Sequence, residues 1–208
     1  SGLYFESPLI NRNNNLSIIP NAAFIINGSQ PNSNKVSNEE STNNSYTLLN
    51  SRLLNRYTGT DKLDNSKRIN YGIDLYKDLF KFELGQSYEL DADNSYNKDV
   101  GLNNYMSDLL GSTSYNGVNN DFIHNFRFNV DQGKIKSQSL SFSNINKLGK
   151  SNINYTQERV ENNSILENGS EILDISYESK EFFNYSTISL NSSFDLIKDD
   201  PKKYNIGY

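Results

Sequence analysis

The chain has 208 residues, 35% of them hydrophobic, with a mean hydropathy of −0.72, a formal charge of −5, four prolines, no tryptophan and no cysteine. The missing cysteines exclude an internal disulfide framework and thiolate metal sites. Scattered Lys and Arg leave no electrostatic footprint for nucleic acid, and no run approaches the ~18 consecutive apolar residues of a helical membrane span.

Hydrophobicity this thin suits either a disordered polar chain or strands that are polar on one face. Fourteen tyrosines and eleven phenylalanines, set at regular places inside alternating runs, favour strands. Residues 3–9 and 16–27 read as two strands around an Asn-rich turn at 10–15, with Pro20 marking a bulge or an unpaired N–H. From 28 to 44 the sequence GSQPNSNKVSNEESTNN is loop chemistry. Leu48, Leu49, Leu53 and Leu54 within 46–54 are spaced as in a short helix, so 28–67 is expected to be one long, partly structured loop.

Two strands with strict alternation follow. In 68–76, Ile69, Tyr71, Ile73 and Leu75 oppose Arg68, Asn70, Gly72 and Asp74. In 79–90, Phe80, Phe82, Leu84, Gln86, Tyr88 and Leu90 oppose Lys81, Glu83, Gly85, Ser87 and Glu89. Successive strand side chains point to opposite faces, so each strand has an apolar wall and a polar one. Both have the ~9–11 residues of a transmembrane β-strand, although a soluble antiparallel sheet with one wet face gives the same alternation.

Further strands are expected at 105–115, 121–130, 134–143, 151–159, 171–177, 182–194 and from 204 onward, about eleven in all. Short turns at 76–78, 116–120 and 179–181 fall on one side and longer connections at 91–104 and 160–170 on the other, with 131–133 as a short exception. Outer-membrane barrels have that asymmetry. Tyr71, Tyr76, Phe80, Tyr88, Tyr105, Tyr115 and Phe122 would form girdles near strand ends. The expected fold is therefore all-β, an antiparallel up-and-down meander forming part of a large, incomplete transmembrane β-barrel. The absent initial Met and the strand-like ending Tyr204-Asn205-Ile206-Gly207-Tyr208 lead us to expect an internal piece of a longer protein, with residues 1–208 within one barrel domain.

Catalytic and metal motifs are weak. The stretch 91–99 begins like an EF-hand loop but has Tyr96 where the turn needs Gly and Leu102 where a bidentate Glu is needed. His124, the single histidine, is in phase with Phe122, Phe126, Phe128 and Val130, and reads as a packed or interfacial residue. Neither Glu39-Glu40 nor Asp199-Asp200 comes with a substrate cleft. No enzyme activity and no cofactor are expected.

Ser37-Asn38-Glu39-Glu40-Ser41, Asn55-Arg56-Tyr57-Thr58-Gly59-Thr60-Asp61-Lys62-Leu63, Arg68-Ile69-Asn70-Tyr71-Gly72-Ile73 and Leu84-Gly85-Gln86-Ser87-Tyr88 occur in order. In these motifs the chain resembles the LptD family of lipopolysaccharide-assembly proteins, in its alphaproteobacterial form and the C-terminal part of its barrel. Ser107-Asp108-Leu109-Leu110-Gly111 and Phe126-Arg127-Phe128-Asn129-Val130-Asp131 look like family strands too, so order and spacing agree over 36–131. Glu40, Tyr57 and Lys62 replace the usual Asp, Phe and Arg and keep their character.

The resemblance implies transport of lipopolysaccharide into the outer leaflet of the Gram-negative outer membrane. Implied partners are an LptE-like plug lipoprotein, membrane lipid and, through an N-terminal domain, the periplasmic Lpt bridge. Arg68, Asn70, Asp74, Lys81, Glu83 and Glu89 would line the lumen, and 28–67 would cap the barrel from outside, with Arg56, Gly59 and Asp61 in a turn held by polar contacts. A porin, a TonB-type receptor and a secreted β-sandwich adhesin share the strand pattern without these motifs.

Overall fold

The computed structural model describes residues 1–28, 46–56, 66–90, 105–162, 165–181 and 186–207. These carry twelve strands: β1 (Gly2–Glu6), β2 (Leu9–Asn11), β3 (Leu16–Ile26), β4 (Lys67–Lys77), β5 (Phe80–Glu89), β6 (Leu109–Asn116), β7 (Asn120–Asn129), β8 (Lys134–Ile145), β9 (Gly149–Asn162), β10 (Ile165–Ser179), β11 (Ser189–Asp195) and β12 (Asp200–Gly207). Among the described residues one α-helix, α1 (Leu48–Ser51), lies between β3 and β4, and a 3-10 turn (Arg12–Asn14) lies between β2 and β3. The strands form one antiparallel sheet in the order β1-β3-β4 and onward to β12, with β2 paired to β3. That order is an antiparallel up-and-down meander, in keeping with the expected all-β class.

Contacts divide the chain into two compact units. The first holds Ser1–Asp78, Phe82–Gly111 and Arg127–Gly133. Within it β3 and β4 pair without a slip from Leu16↔Lys77 to Ile26↔Lys67, which sets Ala23, Ile25, Arg68 and Asn70 on one face. The turn residues Asn15 and Asp78 both have positive φ, which short polar side chains tolerate. Asn15 also donates from Nδ2 to Asp78 Oδ1 at 3.0 Å, tying the two turns together.

The second unit holds Leu79–Lys81, Ser112–Phe126 and Lys134–Tyr208. Here β8 to β12 pair in sequence, with one irregularity in β10 between Asn168 and Ser170 and one in β11 between Ser193 and Phe194. Ser141 bonds Asn154 at 2.7 Å and Asn152 bonds Ser176 at 3.1 Å on the face that carries small polar residues. Leu140, Phe142, Ile153, Ile175 and Phe194 occupy the other.

Several boundaries differ from the sequence expectation. The first expected strand breaks at Ser7 and Pro8 into β1 and β2, since proline cannot donate to a ladder. Strand β6 begins at Leu109, and among the described residues 105–108 Met106 makes an isolated bridge with Tyr88. Strand fills most of the expected long connection at 160–170, because β9 runs to Asn162 and β10 starts at Ile165; Val160 and Ile165 suit a strand better than a loop. Strand β10 ends at Ser179 and β11 spans Ser189–Asp195, within the later part of the expected strand 182–194, of which 182–185 lie outside the described residues. In the 131–133 turn Gly133 takes φ 64, which a glycine adopts freely, and Asn129 Oδ1 accepts the Gln132 N–H at 2.8 Å.

Burial runs opposite to hydrophobicity. Arg68 is 0% exposed, while its neighbour Ile69 is 37% exposed and Tyr71 40%. Ser87 and Glu89 are buried, whereas Phe80, Tyr88 and Leu90 are exposed. Of the aromatics expected near strand ends, Tyr71 sits instead in the middle of β4, opposite Ala22.

Candidate functional site

The buried polar groups of the first unit gather around the segment 46–56. Thr47 starts α1 with a capping box: its Oγ1 accepts the Asn50 N–H, and Asn50 Oδ1 accepts the Thr47 N–H at 2.8 Å. Ser51 Oγ then bonds back to the Leu48 carbonyl at 2.8 Å. A helix this short is marginal alone, so the strands beneath must hold it. They and their flanking residues do so at five places.

Arg52 donates to Asp74 Oδ1 at 2.5 Å and to Glu83 Oε1 at 3.3 Å. Arg56 donates to Glu89 Oε1 at 2.7 Å, with both side chains only 3% exposed. The Arg68 guanidinium donates to Ser66 Oγ and to the Leu53 carbonyl. Asn70 Nδ2 reaches the Ser51 carbonyl and Asn27 Nδ2 the Leu54 carbonyl, each at 2.5 Å. These strand side chains thus accept or supply the polar groups that a short helix and its exit leave open.

Apolar contacts complete the seat. Tyr46 and Leu110 are buried together with Leu48 packed on them. Gly85 makes the space for Leu48, since a Cβ there would come within 2.8 Å of Leu48 Cδ2. Alongside, Ser107 Oγ accepts the Ser87 N–H at 2.9 Å, Ser107 O accepts from Gln86 Nε2 at 2.9 Å, and Gln86 Oε1 accepts from the Tyr71 hydroxyl at 2.7 Å. Arg127 Nε lies 3.3 Å from Asp108 Oδ2, both buried.

Arg52, Arg56 and Arg127 therefore face carboxylates, whereas the Arg68 guanidinium is held by a hydroxyl and a backbone carbonyl. Burial raises the Tyr46 phenol above its ordinary value; Ser107, Arg56 and Ser87 pull it down without cancelling the rise. For Arg52, burial acts downward, but the hydrogen bond and charge of Asp74, with the charge of Glu83, outweigh it and leave the guanidinium raised. Both groups keep their protons at neutral pH. Such pairs clamp a segment in place; they are not arranged to transfer protons.

The geometry brings together Arg56, Arg68, Asn70, Asp74, Glu83, Gly85 and Glu89. Arg56, expected in a local turn, reaches a carboxylate 33 residues away. Asn55 and Lys81 are half-buried, and Tyr88 stands on the apolar face with its ring 6.4 Å from that of Tyr105. At Gly72 a Cβ would meet the Leu84 carbonyl at 2.4 Å. Asn38, Glu39, Glu40, Ser41, Tyr57, Gly59 and Asp61, like the EF-hand-like stretch 91–99, lie outside the described residues. Sequence reasoning missed Tyr46, Arg52, Ser66, Ser107 and the Asp108–Arg127 pair. The spacing of Leu48, Leu49, Leu53 and Leu54 signalled a short helix in this segment and Thr47-x-x-Asn50 marks its start, but neither signals that it docks.

Removing Glu83 is expected to matter little, because Arg52 keeps Asp74 and is one-third exposed. We expect Glu83→Ala to cost about 1 kcal/mol or less, read as an unchanged folded band before heating in gel electrophoresis. Loss of the folded band would mean that Glu83 holds the wall together.

A family model described as LPS transport system D matches residues 1–196. The chain belongs to the LptD family. The match runs from β1 through β11 and includes every residue of the buried wall. It decides against the porin, the TonB-type receptor and the soluble adhesin, whose strand pattern is the same. LptD proteins serve lipopolysaccharide transport at the outer membrane, and the family is one of transport and assembly rather than of catalysis. No curated protein matches the chain.

Proposed function

We propose that this chain is part of the barrel of an LptD translocon, of the alphaproteobacterial kind, that releases lipopolysaccharide sideways into the outer leaflet. On this reading the polar wall, with Arg68, Asn70, Asp74, Lys81, Glu83 and Glu89, lines the lumen, and the Ile, Leu, Phe and Tyr faces meet lipid. One observation carries it: Arg68 is wholly buried while Ile69, Tyr71 and Ile73 beside it are exposed. A soluble sheet would bury the isoleucines. In a barrel wall bathed in hydrocarbon, outward apolar and inward polar residues are the stable arrangement.

The segment 28–67 is the outer cap on this proposal, and the Arg52 and Arg56 ion pairs are its anchors. A polar lumen suits the sugar and phosphate head of lipopolysaccharide, and transport needs no covalent step. The plug lipoprotein LptE and the periplasmic Lpt bridge are the proposed partners.

Depleting the protein in its host is expected to lower newly made lipopolysaccharide at the cell surface, measured by labelling surface sugars. Undiminished surface lipopolysaccharide would refute the transport role. Deleting residues 28–44 should leave the strands assembled yet admit bulky antibiotics, seen as a lower inhibitory concentration. Unchanged resistance would argue against the cap.

A further inference from the structure

The apolar rows of β4 and of β8 and β9 differ in height. On β4, Ile69, Tyr71, Ile73 and Leu75 form an unbroken apolar row between Lys67 and Lys77. Ten steps of about 3.4 Å, tilted by about 40°, cover about 26 Å of membrane depth, which matches the ~25 Å apolar band of an outer-membrane barrel. On β9 only Ile153 and Tyr155 stand between Ser151 and Gln157 on the apolar face. On β8 only Leu140 and Phe142 stand between Gln138 and Asn144. Six steps at the same tilt cover about 16 Å.

The outer limit of this short band is a hydrogen-bonded row. Gln138 Nε2 donates to Gln157 Oε1 at 2.9 Å, His124 Nε2 lies 3.4 Å from Gln138 Oε1, and the Tyr155 hydroxyl donates to Glu171 Oε1 at 2.7 Å. Beyond it Arg159 binds the Ile135 carbonyl at 2.7 Å. A hydrophobic stretch shorter than the bilayer thins the bilayer, draws long polar side chains to the interface, or associates with another protein.

We infer that β8 and β9 face a locally thinned bilayer, with the outer headgroup boundary at Gln138 and Gln157 and the inner one at Asn144 and Ser151. The side chains of the outer row bond to one another across strands, so lipid headgroups and water suit them better than a protein partner seeking hydrogen bonds. Arg159, just outside, has the length and charge to reach phosphate-bearing headgroups. A thin bilayer at this wall lowers the distance that an amphiphile must cross beside it.

The inference rests on the membrane reading above, and the test separates the two. Nitroxide labels would be placed singly at Ser151, Ile153 and Gln157 on β9 and at Ile69 and Ile73 on β4, in the full-length protein in outer-membrane lipid vesicles. Collisions with oxygen report hydrocarbon, and collisions with a water-soluble nickel chelate report the polar phase. We expect oxygen to dominate at Ile69, Ile73 and Ile153, and nickel at Ser151 and Gln157. Oxygen dominance at Ser151 and Gln157 as well would mean a bilayer of full thickness and would overturn the inference while leaving the barrel in place. Protection of Ile153 from both reagents would put a protein there instead and overturn it too. Nickel dominance at Ile73 and Ile153 together would remove the membrane reading itself.

Discussion

Leu84→Arg is expected to abolish assembly of the barrel. Leu84 lies near the middle of β5 on the face shared with Phe82 and Tyr88, and a basic residue on a lipid-facing wall costs about 2–4 kcal/mol at the bilayer midplane. Lipid has no water to solvate a guanidinium, and β5 has no adjacent carboxylate on that face to pair with it. The measurement is the fraction of protein that migrates as a compact barrel before heating, with Glu83→Gln, one residue away on the opposite face, as the control. Wild-type assembly of the Leu84 variant would show that this face does not meet lipid.

Arg56→Ala is expected to be the most damaging change within the wall. The Arg56–Glu89 pair is almost fully enclosed, so removing the guanidinium leaves a desolvated carboxylate whose remaining contact is the Ser87 hydroxyl at 3.2 Å. Breaking a buried pair in this way costs about 3–5 kcal/mol, enough to release the segment 46–56 from β4 and β5. Limited proteolysis across residues 46–56 should therefore speed up. Glu89→Gln in the same chain should restore most of the protection, because the neutral amide no longer strands a charge, and the double-mutant cycle gives the coupling. Arg52→Ala should do less, since its guanidinium is partly hydrated. Equal protease resistance in wild type and Arg56→Ala would mean that the pair anchors nothing.

The all-β meander was legible because strand alternation is local. The order Ile69, Tyr71, Ile73, Leu75 against Arg68, Asn70, Asp74 needs nothing beyond the period of two, and β4 and β5 match their expected limits within a residue or two. Boundaries failed where local signals compete. The polar stretch 160–170 looks like a loop by composition, yet pairing with β9 carries β10 back to Ile165. Proline at position 8 divides a run that its apolar residues present as continuous.

The site was legible only in part. Its strand members stand out as charged residues in phase on one face, and the family motifs mark Arg56, Arg68 and Gly85. Their partners could not be read, because Arg56 and Glu89 are 33 residues apart and Arg52 and Glu83 are 31 apart, distances over which periodicity carries no information. Sequence alone determined the strands, their two faces and the family, since each follows from neighbouring residues or motif order. Only the tertiary structure decided that the polar face is the buried one and that 46–56 is what covers it. Which wall of a two-faced strand loses its solvent depends on what folds against it, and that contact is made by residues far apart in the chain.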